Sequence, residues 1–439
     1  MITNKNKIII ASIILVILVG IGYFIINKKN NYTISLKSEG GNYSNDVNLT
    51  VEMGKAVSDT KIINNSQQKN NLYQDPYQKI DEIFNLSQKW LINNIKSDGS
   101  FVYAYNISGD KSNKNSIARQ ILTFRVVAKL CQQGNEQFCQ MHRKNINFIF
   151  NNGIFKEKVL KNGQTIAYVQ LDNGPIKLGV NALLIRLLLI SPYYDEYTLQ
   201  IQELINGILY LRHNDGEFYK AFFSNETKDK AKWLRHYSGE SILALLEYYQ
   251  KTKDDNILQL AKISQDYYYK EYIDNITQNY HPAYVPWQSM ALSKMWHETN
   301  DPSYIDGIFK LNDKLVKMQD QYSSNKGRFF DAEHLEYGKA HSASDAVYAE
   351  SLVVAYKIAL ETDDKIRQQR YMIAIRLALD YLAKLQFCNT NNIFYKDISE
   401  SMCGGFIANA NANFSRVDSL AHTMDFLFAL EELLDINNN

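Results

Sequence analysis

The feature that most constrains this chain is a helical repeat with a recurring reversal. From residue 75 onward, apolar residues recur at i, i+3, i+4 and i+7. The pattern predicts helices near 77–95, 115–133, 136–150, 178–191, 195–211, 238–251, 254–272, 283–298, 302–321, 343–361, 364–386 and 417–435. They form six consecutive hairpins. The connections recur as well: Lys96-Ser-Asp-Gly-Ser-Phe101, His213-Asn-Asp-Gly-Glu-Phe218 and Asn325-Lys-Gly-Arg-Phe329, with looser copies at Asn152-Gly-Ile-Phe155 and Asn391-Asn-Ile-Phe394. A Gly-x-Phe turn lets the chain reverse and then returns an aromatic ring to the core. Longer loops, 97–114 and 387–416, follow such turns on one side. Six hairpins in a chain of this size close naturally into a double-layered ring of inner and outer helices.

The part before residue 75 has a different character. Residues 8 to 26 form an uncharged, mostly apolar run long enough to span a bilayer as a helix. No small-x-small cleavage site follows it at Phe24-Ile-Ile-Asn-Lys-Lys29, so it reads as a signal anchor over residues 1–29. Residues 30–74 are rich in Asn, Ser, Lys and Gly and read as a flexible linker, with a short extended segment at Val47–Val51. The domain of residues 75–439 is then expected outside a bacterial inner membrane, in the periplasm or at the cell exterior. Four cysteines fall as two local pairs, Cys131 with Cys139 and Cys388 with Cys403. Export allows two disulfides, and four unlinked thiols are the other reading. A formal charge of +1 with no basic stripe excludes nucleic acid as an expected partner. With 45% hydrophobic and 22% charged residues the chain can build a large core.

Several stretches resemble a known superfamily. Asp98-Gly-Ser-Phe-Val-Tyr103 is followed by Ile117-Ala-Arg-Gln120, and Lys177-Leu-Gly-Val-Asn-Ala-Leu183 and Tyr237-Ser-Gly-Glu-Ser-Ile-Leu243 open further helices. Trp287-Gln-Ser-Met-Ala-Leu292, Tyr348-Ala-Glu-Ser-Leu352 and Gly404-Gly-Phe406, then Arg416-Val-Asp-Ser-Leu-Ala-His422, complete the set. Over residues 75–436 the chain resembles the six-hairpin, or (α/α)6, toroid superfamily of glycosidases and related sugar-active enzymes. The fold class this implies is all-α, with one transmembrane helix ahead of the toroid. The Asp-Gly-x-Phe turns are also similar to those of terpene cyclases and prenyltransferases, whose acid-rich and zinc-ligand patterns this sequence lacks.

The resemblance implies that the even-numbered helices are inner and that their N-terminal ends meet at one mouth. Helix N-termini add unpaired N–H groups and a positive dipole end. Those openings carry Arg119, Asn181, Glu240, Trp287, Asp345 with Glu350, and Asp418 with His422. Glycosidic cleavage needs two carboxyl groups, drawn here from Glu240, Asp345, Glu350 and Asp418. Each has a plainer reading. Glu240 complements a helix dipole behind an N-cap Ser238, and Ser342-Ala-Ser-Asp345 and Ser415-Arg-Val-Asp418 read as capping boxes. Asp418 and His422 share a helix face at i and i+4, the spacing of a carboxylate that orients a general base. Glu350 lies deeper and needs a partner, for which Arg119 is the candidate.

Substrate binding is expected from Arg119, His236, Tyr237, His281, Tyr284, Trp287 and His341, by charge, hydrogen bonding and ring stacking. For Trp287 and Tyr284 a place in the core is the competing role. No HExxH, Walker A, GxSxG or GxGxxG pattern stands in a sensible context, and neither metal nor cofactor is expected. The expected activity is glycoside hydrolysis of an envelope saccharide. Glycan epimerisation or lysis through His422, His236, Tyr237 and Arg119, and glycan binding without chemistry, are the alternatives. Protein partners are not assigned.

Overall fold

The computed structural model describes residues 32–33, 54–55 and 76–438, except 173, 224–233, 393, 396 and 397. The chain divides into two units, Met1–Tyr73 and Gln74–Asn439. In the first, β1 (Tyr32–Thr33) pairs antiparallel with β2 (Gly54–Lys55). The apolar run at 8–26 and the extended segment expected at 47–51 lie outside the described residues. Among the described residues no helix is long and apolar enough to cross a membrane.

The second unit holds, among its described residues, twelve helices of three turns or more. They are α1 (Pro76–Asn94), α2 (Ile117–Gln132), α3 (Glu136–Asn151), α4 (Leu178–Leu189), α5 (Thr198–Tyr210) and α6 (Leu234–Thr252). The series continues with α7 (Asp255–Tyr269), α8 (Val285–Thr299), α9 (Ser303–Lys317), α10 (Ser342–Glu361), α11 (Lys365–Leu385) and α12 (Val417–Asn438). One expected boundary moves. The spacing predicts a helix from 238, but α6 begins at Leu234, so Ser238 is a buried interior residue whose hydroxyl accepts from the Gln288 amide at 3.4 Å. Nothing in Arg235-His236-Tyr237 breaks a helix, and Glu240 therefore sits almost two turns in, past the first turn.

The even-numbered helices form a closed inner ring: α2 packs on α4, α4 on α6, α6 on α8, α8 on α10, α10 on α12, and α12 back on α2. The outer layer is built from α3, α5, α7, α9 and α11 on the helices preceding them, with α1 closing onto α12. Burial follows the layer. All twelve residues of α4 are buried, as expected for a helix apolar on every side, whereas outer α9 buries one face.

The Gly-x-Phe turns do what their composition predicts. Phe101, Phe218 and Phe329 are buried, and each forms a β-bridge back to the end of the preceding outer helix. Gly99 and Gly327 hold positive φ of 88° and 102°, and a Cβ there would overlap the carbonyl oxygens of Lys144 on α3 and Leu377 on α11. A side chain is thus excluded by both conformation and space. Two looser copies are different. Gly153 faces open space and Phe155 starts a strand. In the last hairpin the turn is Gly404-Gly-Phe406 rather than the stretch ending at Phe394, with Phe406 buried and bridged to Gln386.

Loops are strongly asymmetric. Inner-to-outer connections are brief, while every outer-to-inner connection is long, so the long ones gather at the N-terminal ends of the inner helices. They carry the hairpin of β4 (Phe155–Val159) and β5 (Thr165–Val169). They also carry the pairing of β3 (Ala104–Asn106) with β6 (Phe414–Arg416), which ties the first long loop to the last. Cys131–Cys139 and Cys388–Cys403 are disulfides.

Candidate functional site

The mouth residues fall into three groups once their contacts are followed. The first clamps the turns. Asp345 is fully buried, and its Oδ1 accepts the Phe329 N–H at 2.8 Å. Gln120 does the same for Phe101 at 2.9 Å, and Asn181 binds the Val169 N–H at 3.1 Å while donating to the Ala167 carbonyl at 2.9 Å. Part of the polar convergence at the inner helix starts is therefore architectural. Burial pushes the Asp345 carboxyl up to about 8, against the lowering pull of the Phe329 N–H and Arg328. Committed to a turn, Asp345 is withdrawn as a catalytic acid. Tyr284 is withdrawn too: it is fully buried, its ring stacked on Tyr272 at 4.2 Å and its hydroxyl donating to backbone carbonyls of Tyr272 and Asn279.

His281 and His341 are helix N-caps. Each accepts through Nδ1 from the N–H two residues on, Ala283 and Ala343, both at 3.1 Å. An accepting Nδ1 leaves the proton on Nε2 in the neutral ring. His281 Nε2 reaches the Glu336 carbonyl at 3.3 Å, whereas His341 Nε2 is buried without a hydrogen-bond partner. Burial lowers both to about 4. The true cap of α10 is thus His341 rather than Ser342, and Ser415 belongs to β6, so neither capping box forms.

The second group surrounds the axis at the mouth. Asp418 accepts from Arg119 Nε at 2.8 Å and from Arg416 Nε and Nη2 at 2.5 and 2.8 Å. Burial opposes its ionisation, but Arg416 and Arg119 outweigh that and hold it down to about 2. Arg119 also donates to the Tyr103 hydroxyl at 2.5 Å. Arg416 and Tyr103 stand in the stretches that carry the resemblance but are not among the expected site residues, although Arg416 is only two residues before Asp418. Arg119 thus pairs with Asp418, and the expected pairing with Glu350 does not form.

Glu240 is 6% exposed, and its Oε2 is buried with no hydrogen-bond partner. Burial drives it up to about 8, with Arg186 pulling the other way. Its neighbour Tyr237 is raised by burial and by Glu240. Room for both comes from Gly179 on α4, where a Cβ would collide with the Tyr237 ring and Glu240 Oε2. Gly239 likewise admits Trp287, whose ring meets His422 edge-on at 6.3 Å. His236 is lowered to about 4 by burial and by His422, and is hydrogen-bonded to the backbone of Ala283. His422 is lowered by burial, against the raising influence of Asp418 and Asp425. At neutral pH Glu240 is protonated and His236 and His422 are uncharged, while Asp418 is ionised between Arg119 and Arg416.

The third group is a charged layer deeper in the barrel, with one member from each inner helix: Arg125, Arg186, Glu247, Lys294, Glu350 and Asp425. Asp425 accepts from Arg125 at 3.0 Å and Lys129 at 2.5 Å, and Arg186 and Glu247 form a two-point pair at 2.9 and 3.1 Å. Glu350 belongs here. Burial, then Asp425, raises it to about 7 against Lys129, Arg125 and Arg186. It lines a separate cavity of 360 Å³ with Lys129 and Asp425. The signal was readable: each inner helix carries an ionisable residue within an apolar run, as in Leu183-Leu-Ile-Arg-Leu-Leu-Leu189, and α2 carries two, Arg125 and Lys129.

A cavity of 540 Å³ adjoins the mouth, with Tyr237 as the shared wall. Among the described residues no group of three or more His, Cys, Asp or Glu is placed to hold a metal ion.

The ring closure and these loops match solved proteins along almost their entire length. An inactive variant of the alpha-1,6-mannanase GH76A of Salegentibacter sp. HEL1_6, in complex with alpha-1,6-mannotriose, aligns at a TM-score of 0.55 and 12% identity, covering 81% of this chain and 99% of that one. A D-mannose isomerase aligns at 0.58 and 12%, covering 81% and 97%. The fold is an (α/α)6 toroid. The cellobiose 2-epimerase from Bacillus thermoamylovorans B4167 gives 0.56 and 12%, covering 80% and 99%. No protein-family model and no curated sequence matches the chain. At these identities the likeness is one of toroid architecture, shared with enzymes whose names all specify a sugar substrate.

Proposed function

We propose that this toroid is a saccharide-active enzyme working by general acid–base catalysis, with Glu240 as proton donor and His422, beside His236, as acceptor. The observation that carries this reading is the charge state of the mouth. Glu240 is held protonated to about pH 8, while both histidines are held uncharged. Groups whose environments push their proton affinities apart divide naturally into acid and base. Trp287 packs edge-on against His422 under the Arg186 guanidinium, and Arg119 brings a second guanidinium.

Proton transfer, as in isomerisation or epimerisation of a sugar, fits better than hydrolysis by two carboxylates. The expected second carboxylates are otherwise engaged: Asp418 by two guanidiniums, Asp345 by a turn, Glu350 by the deeper layer. The mannanase variant replaces two consecutive aspartates and is inactive. In this chain consecutive aspartates occur at Asp254-Asp255 and Asp363-Asp364, where Asp254 and Asp364 cap outer helices.

The test is to incubate the full chain with mono- and disaccharides in deuterium oxide. Deuterium entering the carbon next to the anomeric centre, lost in Glu240→Gln, supports the assignment. New reducing ends without deuterium would restore the hydrolytic reading, and binding without either would leave a glycan-binding protein. Residues 8–26 serve in this reading as a membrane anchor holding the toroid outside a bacterial inner membrane, toward an envelope saccharide. Two disulfides suit an oxidising compartment. Protease digestion of intact spheroplasts should remove the toroid, and protection from protease would reverse the topology.

A further inference from the structure

The 540 Å³ cavity beside Tyr237 carries no catalytic group, yet it has the make-up of a ligand site. Its volume lies within the roughly 300–1,000 Å³ of small-molecule sites, which are mostly apolar with a few polar groups. Ile176 and Phe222 form apolar wall, and the rim continues outward as an aromatic platform. In that platform Tyr168 lies 5.7 Å from Phe222 and 5.5 Å from Phe223, and Tyr210 lies 6.2 and 6.1 Å from the same two rings. Tyr210 and Phe223 are each 44% exposed.

Phe223 stands out within this cluster. It holds φ +52°, a region that bulky residues avoid. Its ring packs on Tyr168, Tyr210 and Phe222 and lies under the Lys158 ammonium at 3.9 Å, yet it stays 44% exposed. A bulky residue held at positive φ with its ring half in water is a candidate for function. The apolar C–H face of a sugar ring stacks on such rings, while its hydroxyl edge needs polar groups, which the wall carries in Lys177, Lys220 and Gln170, the last held in place by Lys156 and the Gly174 carbonyl.

We infer that this cavity and its aromatic rim bind further units of a saccharide chain whose reacting unit lies at Glu240, so that the substrate is an oligosaccharide. This rests on the proposed catalytic mouth, because Tyr237 is the wall common to both.

The test measures binding of manno- and cello-oligosaccharides of one to four units to the full chain by calorimetry, with Phe223→Gly, Phe223→Trp and Glu240→Gln beside it. Affinity should rise at least about tenfold from one unit to four. Phe223→Gly should abolish that gain and leave the single-unit affinity unchanged, with an equal or higher melting temperature because glycine suits the backbone. Phe223→Trp should keep the gain. Glu240→Gln should keep it too, losing deuterium exchange alone, so that failure of the chemistry and failure of this site read differently. Affinity independent of chain length, no binding to any of the series, or a Phe223→Gly protein that melts lower while keeping the gain would overturn the inference.

Discussion

Glu240 and Asp345 make an instructive pair. Both are carboxyls near the start of an inner helix, both are buried, and both are pushed up to about 8 by that burial. Their contacts separate them. Asp345 fills the place held by Gln120 in the first hairpin and fastens a turn. Glu240 fastens no turn; its buried Oε2 lies against Tyr237, and it is Tyr237 that lines the 540 Å³ cavity. A displaced proton affinity therefore marks burial first, and function needs a second observation, which for Glu240 is its contact with the tyrosine that walls the cavity.

The sharpest way to break this comparison is activity. Glu240→Gln should lower turnover by about 10²–10⁴-fold, the usual weight of a general acid, with a melting temperature no lower than the parent's. Asp345→Asn should retain turnover within about twofold, since an asparagine already does the same job at position 181. Equal losses in the two variants would erase the distinction. Asp418 tests whether the mouth is framed by ion pairs. Asp418→Ala should cost about 3 kcal/mol in denaturant unfolding, the low end for a buried pair losing one partner, because Arg119 and Arg416 keep partial access to water. Reducing Cys388–Cys403 should cost about 2–4 kcal/mol, measurable as a lower melting temperature with a thiol reductant.

The pH dependence follows with two opposite signs. His236, His281 and His341 are held uncharged down to about 4, while the unfolded chain takes up their protons below about 6.5. Stability should therefore fall as pH drops from 6.5 to 4. Glu240 and Asp345 stay protonated to about 8 in the fold but ionise near 4.5 and 3.8 when unfolded, so their contribution weakens as pH rises through that window. Asp345→Asn removes one of these groups. Its melting temperature should gain on that of the parent between pH 5 and 8, by the smallest margin of the set.

Much of the fold was legible because it is written locally. Helical periodicity located all twelve helices to within a few residues, since an inner or outer helix must bury its apolar residues at a 3.6-residue period. Three Gly-x-Phe turns were legible for the same reason, and the last was misplaced because a twelve-residue difference between Phe394 and Phe406 leaves no mark on periodicity. The site was legible less evenly. Residue types at the helix openings singled out Glu240, His422, Arg119 and Trp287 as candidates, but not which carboxyl would be committed elsewhere. Capping boxes were expected at Ser342 and Ser415, where a histidine and a strand took those places instead.

The sequence by itself determined the hairpin count, the glycine reversals and the side of the ring that bears the long loops, because each depends on near neighbours in the chain. Only the tertiary structure decided which acids meet which bases. Arg119 and Asp418 are 299 residues apart, and nothing local encodes that approach. Closing the ring brings α12 against α2, and burial then sets the charge each group can hold.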